Sequence, residues 1–143
     1  MPRQPRDALP GFPQHVLQRG NNRQPVFFGE DDYRFYLAAV TLAAAQHAIA
    51  GHASVLMTNH VHLLVTPQQA DGIATLMQCI GRRYVQYINT TYQRMGTLWE
   101  GRYRASLVDA ERYFFPCARY IQLNPVRAAM VVHPASYPWS SYR

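Results

Sequence analysis

From Gly72 to about Thr91 the chain places apolar side chains at Ile73, Leu76, Met77, Ile80, Tyr84 and Ile88. Steps of three and four gather them into one stripe of a long helix, and such a stripe has to be buried against a second layer. The flanking segments say what that layer is. Val16-Leu17-Gln18-Arg19, after His15, reads as a short strand closed by the turn-forming Gly20-Asn21-Asn22. A helix over 33–48 follows, with Phe35, Tyr36, Val40, Leu42 and Ala43 at helical spacing. Asp31 and Asp32 supply its caps and an acidic first turn, and Gly51 breaks it. Residues 53–57 and 60–65 read as a hairpin turning at Thr58-Asn59, ended by Pro67. Residues 99–108, between Gly96 and Asp109, make a fourth strand. Asp109 then caps a final helix running through Arg119 and Tyr120, which Pro116 kinks or starts late. The order predicts an α+β fold, a ferredoxin-like antiparallel sheet (β-α-β-β-α-β) with an added C-terminal helix. With no repeat, low-complexity run or long linker, residues 1–143 are expected to form one domain.

Composition excludes several classes. At 143 residues and 48% hydrophobic, the chain has material for a substantial core and does not resemble a disordered tail protein. No run approaches the roughly 18 apolar residues of a membrane span, and Met1-Pro2-Arg3-Gln4-Pro5-Arg6 lacks the apolar stretch of a signal peptide. The expectation is a soluble cytoplasmic protein without a membrane partner. Cys79 and Cys117 stand far apart and outside any C-x-x-C spacing, which points to small buried residues rather than a disulfide framework or a thiolate zinc site.

The formal charge is +6, and all 14 cationic side chains are arginine. Genomic base composition alone can produce that bias, so the sign and placement of the charge carry the argument. Residues 82–127 hold Arg82, Arg83, Arg94, Arg102, Arg104, Arg112, Arg119 and Arg127 against Glu100, Asp109 and Glu111, with Tyr84, Tyr87, Tyr92, Trp99 and Tyr103 among them. Arginine forks that grip phosphate, interleaved with rings that stack on bases, are what a nucleic-acid surface needs. A solvated helix face over core aromatics gives the same pattern.

His60-Val61-His62 lies within a strand-like run. Alternation along a strand turns both imidazoles to one face and Val61 to the other, so two ligands for one metal ion follow from the spacing alone. A pair of structural histidines is the plainer alternative. Tyr120 and Asn124, four apart in Tyr120-Ile121-Gln122-Leu123-Asn124-Pro125, share a helix face, which sets a phenol beside an amide oxygen able to ligate a hard cation. Asn-Pro is also a common helix start, so capping competes with ligation for the Asn124 side chain. Tyr84 sits on the apolar stripe and suits the core. Neither it nor Tyr87 or Tyr113 has an asparagine four residues on. His15 and Arg19, on one face of the first strand, line the floor of the same site if that strand is central.

Four motifs in order resemble the REP-associated tyrosine transposases, a single-tyrosine family of the His-hydrophobe-His class. They are His15-Val16 with Arg19-Gly20-Asn21-Asn22-Arg23, Met57-Thr58-Asn59-His60-Val61-His62-Leu63-Leu64-Val65, Gly96-Thr97-Leu98-Trp99-Glu100-Gly101-Arg102-Tyr103, and Tyr120-Ile121-Gln122-Leu123-Asn124-Pro125-Val126-Arg127. The resemblance runs from Leu9 to Tyr142, with Thr58 where the family commonly has proline and Pro116 inside the helix that presents Tyr120. It implies a transposase that nicks and transfers single-stranded, hairpin-forming palindromic DNA through a covalent phosphotyrosine. In that pattern Tyr120 is the nucleophile, and His60, His62 and Asn124 hold Mg²⁺ or Mn²⁺. Arg19, Arg23, Arg82, Arg83, Trp99, Arg102, Arg104, Arg119 and Arg127 are the candidate DNA contacts, and a homodimer is compatible with the pattern. Two readings compete: a palindrome- or hairpin-binding protein that does not cut, and a hydrolase that activates water at the two histidines without a covalent step.

Overall fold

The computed structural model describes residues 10–142; the N-terminal stretch containing Met1 to Arg6, Asp7 and Leu9 lies outside the described residues, as does Arg143. In chain order the elements are β1 (Gln14–Arg19), α1 (Glu30–Gln46), β2 (Ile49–Leu56), β3 (His60–Pro67), α2 (Gly72–Thr91), β4 (Arg104–Leu107), α3 (Phe114–Gln122) and α4 (Asn124–Arg127). Antiparallel pairing joins the strands in the order β2-β3-β1-β4, the ferredoxin-like arrangement that the element order predicts.

The pleat divides the sheet into two chemically different faces. Val16 on β1 and Val61, Leu63 and Val65 on β3 point to one side, where they pack with Ile73, Leu76, Ile80, Tyr84 and Ile88 of α2 and with Tyr36 and Ala43 of α1. Val55 and Leu64 point to the other side and pack with Ile121 of α3, with Tyr137 and with Val108. The sheet is therefore sandwiched, with α1 and α2 on one face and α3 on the other. The last residues bind the outer edge of β2: Leu56 N–H donates to Trp139 O at 2.8 Å and Ser141 N–H to Ser54 O at 2.9 Å, which protects an otherwise open strand edge. Among the described residues, no helix is long and apolar enough to cross a membrane.

Several boundaries differ from those read in sequence. α1 ends at Gln46 because Ala48 takes a left-handed φ of 55°, and Gly51 sits inside β2 beside a register shift instead of ending the helix. The fourth strand is shorter than 99–108. Trp99 forms an isolated bridge with Gly20, Gly101 turns the chain at φ 59°, and regular pairing resumes only at Arg104. Asp109 caps a single turn, accepting from the N–H groups of Glu111 and Arg112, and α3 starts later, at Phe114. Pro116 falls in the first turn of α3, where a missing N–H costs nothing, so the helix is delayed rather than kinked. Cys79 and Cys117 are half-buried against the two cores.

Asp32 clamps the helical layer. Fully buried, its carboxylate accepts from the N–H groups of Phe28 (2.8 Å) and Gly29 (3.1 Å) and from the hydroxyls of Tyr87 (2.8 Å) and Tyr92 (2.7 Å). Four donors satisfy the two oxygens, so one side chain ties the start of α1 to the far end of α2. Asp32→Ala strands those donors and is expected to lower stability by about 3 kcal/mol and Tm by roughly 10 °C, with Asp32→Asn between. Thermal unfolding followed by circular dichroism checks this, and an unchanged Asp32→Ala midpoint refutes the clamp.

Candidate active site

The polar face of the sheet carries the candidate chemistry. Register sets Leu17 opposite His62 and Arg19 opposite His60 on one side of β1, and Arg104 opposite Leu17 on the other. His15, Arg19, His60, His62 and Arg104 consequently share one face of adjacent strands. The ring centroids of His60 and His62 are 5.1 Å apart.

α3 brings the phenol across this face. Its apolar anchor, Ile121, is fully buried, which turns the neighbouring Tyr120 outward to lie half exposed beside the histidines. The Tyr120 ring centroid is 6.0 Å from that of His62 and 6.3 Å from that of His15. Pro125 lacks an N–H, so the helix is interrupted at Leu123 and restarts as α4, with Leu123 as its cap. The Asn124 side chain therefore takes no capping role, and its Nδ2 lies 3.0 Å from His62 Nε2. Arg127, one turn on, stacks over Tyr120 with its guanidinium carbon 4.1 Å from the ring centroid, and it donates to the Tyr120 carbonyl. Two of the tyrosines that compete in sequence are committed elsewhere, while Tyr113 stands exposed just before α3. Tyr84 is fully buried and donates to Val26 O at 2.6 Å, and Tyr87 donates to Asp32, both in the helical layer.

Burial lowers the basicity of both histidines. His60 is held down at about 4, mainly by desolvation and further by the Arg19 charge, against a hydrogen bond with Asn124 that raises it. His62 is held down at about 3 by desolvation, then by His60, His15, Arg19 and Arg127. Both imidazoles are neutral at physiological pH, the form that can ligate a metal. Two imidazole nitrogens and one amide group suit a cation that takes its remaining ligands from water or phosphate. Among the described residues no group of three or more His, Cys, Asp or Glu side chains could hold a metal, so Asn124 and outside oxygens would complete any such site.

The candidate DNA contacts divide. Arg19, Arg23, Arg102 and Arg104 converge with Leu17, Asn59, His60, Glu100 and Gly101 around a cleft of about 900 Å³ that opens beside the histidine pair. Among the described residues none of these four arginines forms an ion pair, so their charge is free to meet an anion. Arg127 adds its charge at Tyr120. Arg82 and Arg83 instead border a separate hollow with His47 on the outer side of α2, across the sheet from the site. Arg119 points to a further hollow lined by Phe115, His133 and Tyr142. Trp99 needs the largest correction: it is 7% exposed, with its ring 6.3 Å from those of Tyr36 and Tyr84, because the bridge to Gly20 pulls it into the core. A base cannot stack on it without opening that core.

Asn59 and the pairing of His15 with His62 escape sequence reasoning. His60 Nδ1 lies 2.7 Å from Asn59 Oδ1, and His62 Nδ1 lies 2.9 Å from His15 Nε2. The one available signal was that Asn59 occupies the turn next to the histidine strand and His15 the site face of β1.

The IS200-like transposase family matches residues 11–124, which span the sheet, the histidine pair, Tyr120 and Asn124. The chain belongs to that family. Among solved structures, this IS200-like transposase is similar to a REP-associated tyrosine transposase bound to a REP hairpin, at 17% identity and a TM-score of 0.82, covering 99% of this chain and 83% of that one. A putative transposase from Deinococcus radiodurans matches at 23% identity and a TM-score of 0.55, over 84% of this chain and 95% of that one. A bacterial tRNA(His) guanylyltransferase-like protein in complex with GTP shares the fold more distantly, at 12% identity and a TM-score of 0.51, over 87% of this chain and 69% of that one. No curated protein matches the chain.

Acid should weaken the transposase through its two histidines. Both bind a proton less readily when folded than at the ordinary 6.5, so below 6.5 the unfolded chain takes up more protons than the native one. The stability tied to the neutral pair is complete above about pH 6.5 and is lost as the pH falls toward 4. With chelator present, the fall in Tm between pH 6.5 and 4.5 is expected to be shallower in His60→Gln/His62→Gln than in the parent; equal slopes refute the assignment.

Proposed function

We propose that this transposase, working as one domain over residues 1–143 in the cytoplasm, cuts and rejoins single-stranded, hairpin-forming DNA through a covalent bond to Tyr120. His60, His62 and Asn124 would hold the assisting Mg²⁺ or Mn²⁺. The observation that carries the reading is convergence: the Tyr120 ring lies 6.0 Å from His62, while Asn124 reaches the same imidazole. The hairpin bound to the structurally similar REP-associated transposase supports the substrate class.

The chemistry divides among these residues. The Tyr120 hydroxyl oxygen attacks the scissile phosphorus, an O–P bond to the tyrosine forms, and the bond to a sugar oxygen breaks, that oxygen taking up a proton. A sugar hydroxyl of the receiving strand then displaces the phenol from phosphorus. Because the phosphotyrosine conserves the bond energy, rejoining requires no ATP. When bound, the cation polarises the phosphate and neutralises developing charge. The guanidinium of Arg127 over the Tyr120 ring favours the negative charge that grows on the phenol oxygen. Arg19, Arg23, Arg102 and Arg104 bind the backbone phosphates in the adjoining cleft.

Incubating labelled hairpin DNA with the protein and Mn²⁺, followed by denaturing electrophoresis, should give a protein–DNA adduct. Tyr120→Phe is expected to lose the adduct and at least about 10³-fold in cleavage rate, while affinity for the hairpin changes little, since one hydroxyl contributes modestly to binding. Cleavage that survives in Tyr120→Phe would point to activated water, and binding without any adduct in the parent would point to a non-cleaving hairpin binder. Placement of the arginines gives a second test. Arg102→Ala and Arg104→Ala should each weaken hairpin binding and reduce its salt slope by about 1. Arg82→Ala/Arg83→Ala, across the sheet, should change neither by as much; the reverse ranking would move the DNA path to the outer side of α2.

A further inference from the structure

The hydrogen bonds around the histidine pair fix which nitrogen of each ring carries the proton. Asn59 Oδ1 can only accept, so at 2.7 Å the proton belongs to His60 Nδ1, which leaves the lone pair of a neutral ring on Nε2. The amide of Asn59 is itself held in that orientation, because its Nδ2 donates to the carbonyl of Arg23 at 3.1 Å. On the second ring, Asn124 Nδ2 can only donate, so His62 Nε2 accepts at 3.0 Å and carries no proton. A neutral His62 must then carry its proton on Nδ1, and the partner 2.9 Å away is His15 Nε2. The His15 and His62 rings stack, with centroids 5.1 Å apart and an interplanar angle of 22°. Asn59 at one ring, and Asn124 together with His15 at the other, thus favour the same tautomer on two rings facing one side of β3.

We infer that His15 and Asn59 are positioning residues that hold His62 and His60 as Nδ1–H tautomers and so present both Nε2 lone pairs to one divalent cation. The inference rests on the metal reading proposed above. Neither residue serves as a ligand: the His15 nitrogen that faces the site is occupied by His62, and the Asn59 oxygen by His60. Outer partners of this kind fix ring orientation, and their loss commonly costs about 10–100-fold in metal affinity. The Arg23 carbonyl that holds Asn59 is delivered by a turn in which Asn22 and Arg23 adopt left-handed φ of 55° and 57°. That turn begins at Gly20, where a Cβ would come within 2.3 Å of the Gln24 carbonyl oxygen. The chain therefore spends strained backbone on keeping one amide correctly aimed.

Mn²⁺ titration of the full chain without DNA, read by electron paramagnetic resonance, tests the inference apart from activity. His15→Phe keeps a ring without the acceptor and Asn59→Leu removes the amide, and each is expected to weaken Mn²⁺ binding about 10–100-fold. His15→Gln and Asn59→Asp restore an acceptor at the same place and should return affinity to within about threefold of the parent, a rescue that simple loss of packing would not give. In parallel, long-range ¹H–¹⁵N spectra of the unsubstituted, metal-free protein should show Nδ1 protonated and Nε2 unprotonated on both His60 and His62. That measurement decides the matter even if a variant fails to fold. Parent-like Mn²⁺ binding in folded His15→Phe and Asn59→Leu, or an Nε2–H tautomer on either ring of the parent, overturns the inference and leaves the metal reading standing. A parent that binds no Mn²⁺ while showing both Nδ1–H rings overturns the metal reading itself, and with it the purpose assigned here to the two residues.

Discussion

The alternation of side chains along β3 is the constraint on which the rest of the structure depends. Val61, Leu63 and Val65 must enter the core beneath α1 and α2, and the same pleat then obliges His60 and His62 to face the other way. A shift of one residue in register would bury two imidazoles among Ile73, Leu76 and Ile80 and expose the valines, so the packing energy of the helical layer holds the geometry of the site. Stability and chemistry are written on opposite faces of one strand.

The two faces deal with buried polar groups in opposite ways. In the helical layer Asp32 is saturated by four donors and has nothing left to offer a ligand. On the site face each imidazole meets one partner at Nδ1, Asn59 at His60 and His15 at His62, and has a second position at Nε2. Asn124 occupies that second position at His62, on the short α4 that Pro125 separates from α3. The first arrangement locks an element in place, and the second orients two neutral rings on the polar face of the sheet.

Much of the site could be read from spacing, because the periods involved are local. The i, i+2 step of His60 and His62 and the i, i+4 step of Tyr120 and Asn124 place each pair on a common face regardless of what surrounds them. The interruption at Leu123 leaves Asn124 on the His62 side, because a single missing N–H relaxes the helix without reversing it. Pairings across long loops could not be read this way. His15 meets His62 over 47 residues of chain, and only the register of β1 against β3 makes them diagonal neighbours. Trp99 looked like a stacking residue because its neighbours are basic, yet its environment is set by a backbone bridge to Gly20 that no local pattern encodes.

The sequence by itself determined the order of elements, the membership in a ferredoxin-like sheet, the common face of the histidine pair and the helix that carries Tyr120 and Asn124, because each follows from a repeat of two or 3.6 residues. Only the tertiary structure decided which arginines share the cleft with His60, which side chains meet each ring nitrogen, and that Arg127 lies over Tyr120 while Trp99 withdraws into the core. Those outcomes depend on strand register, on left-handed turns at Asn22, Arg23 and Gly101, and on which face of the sheet each helix covers. Such relations join residues far apart in the chain, and competition for burial and hydrogen bonds settles them rather than local preference.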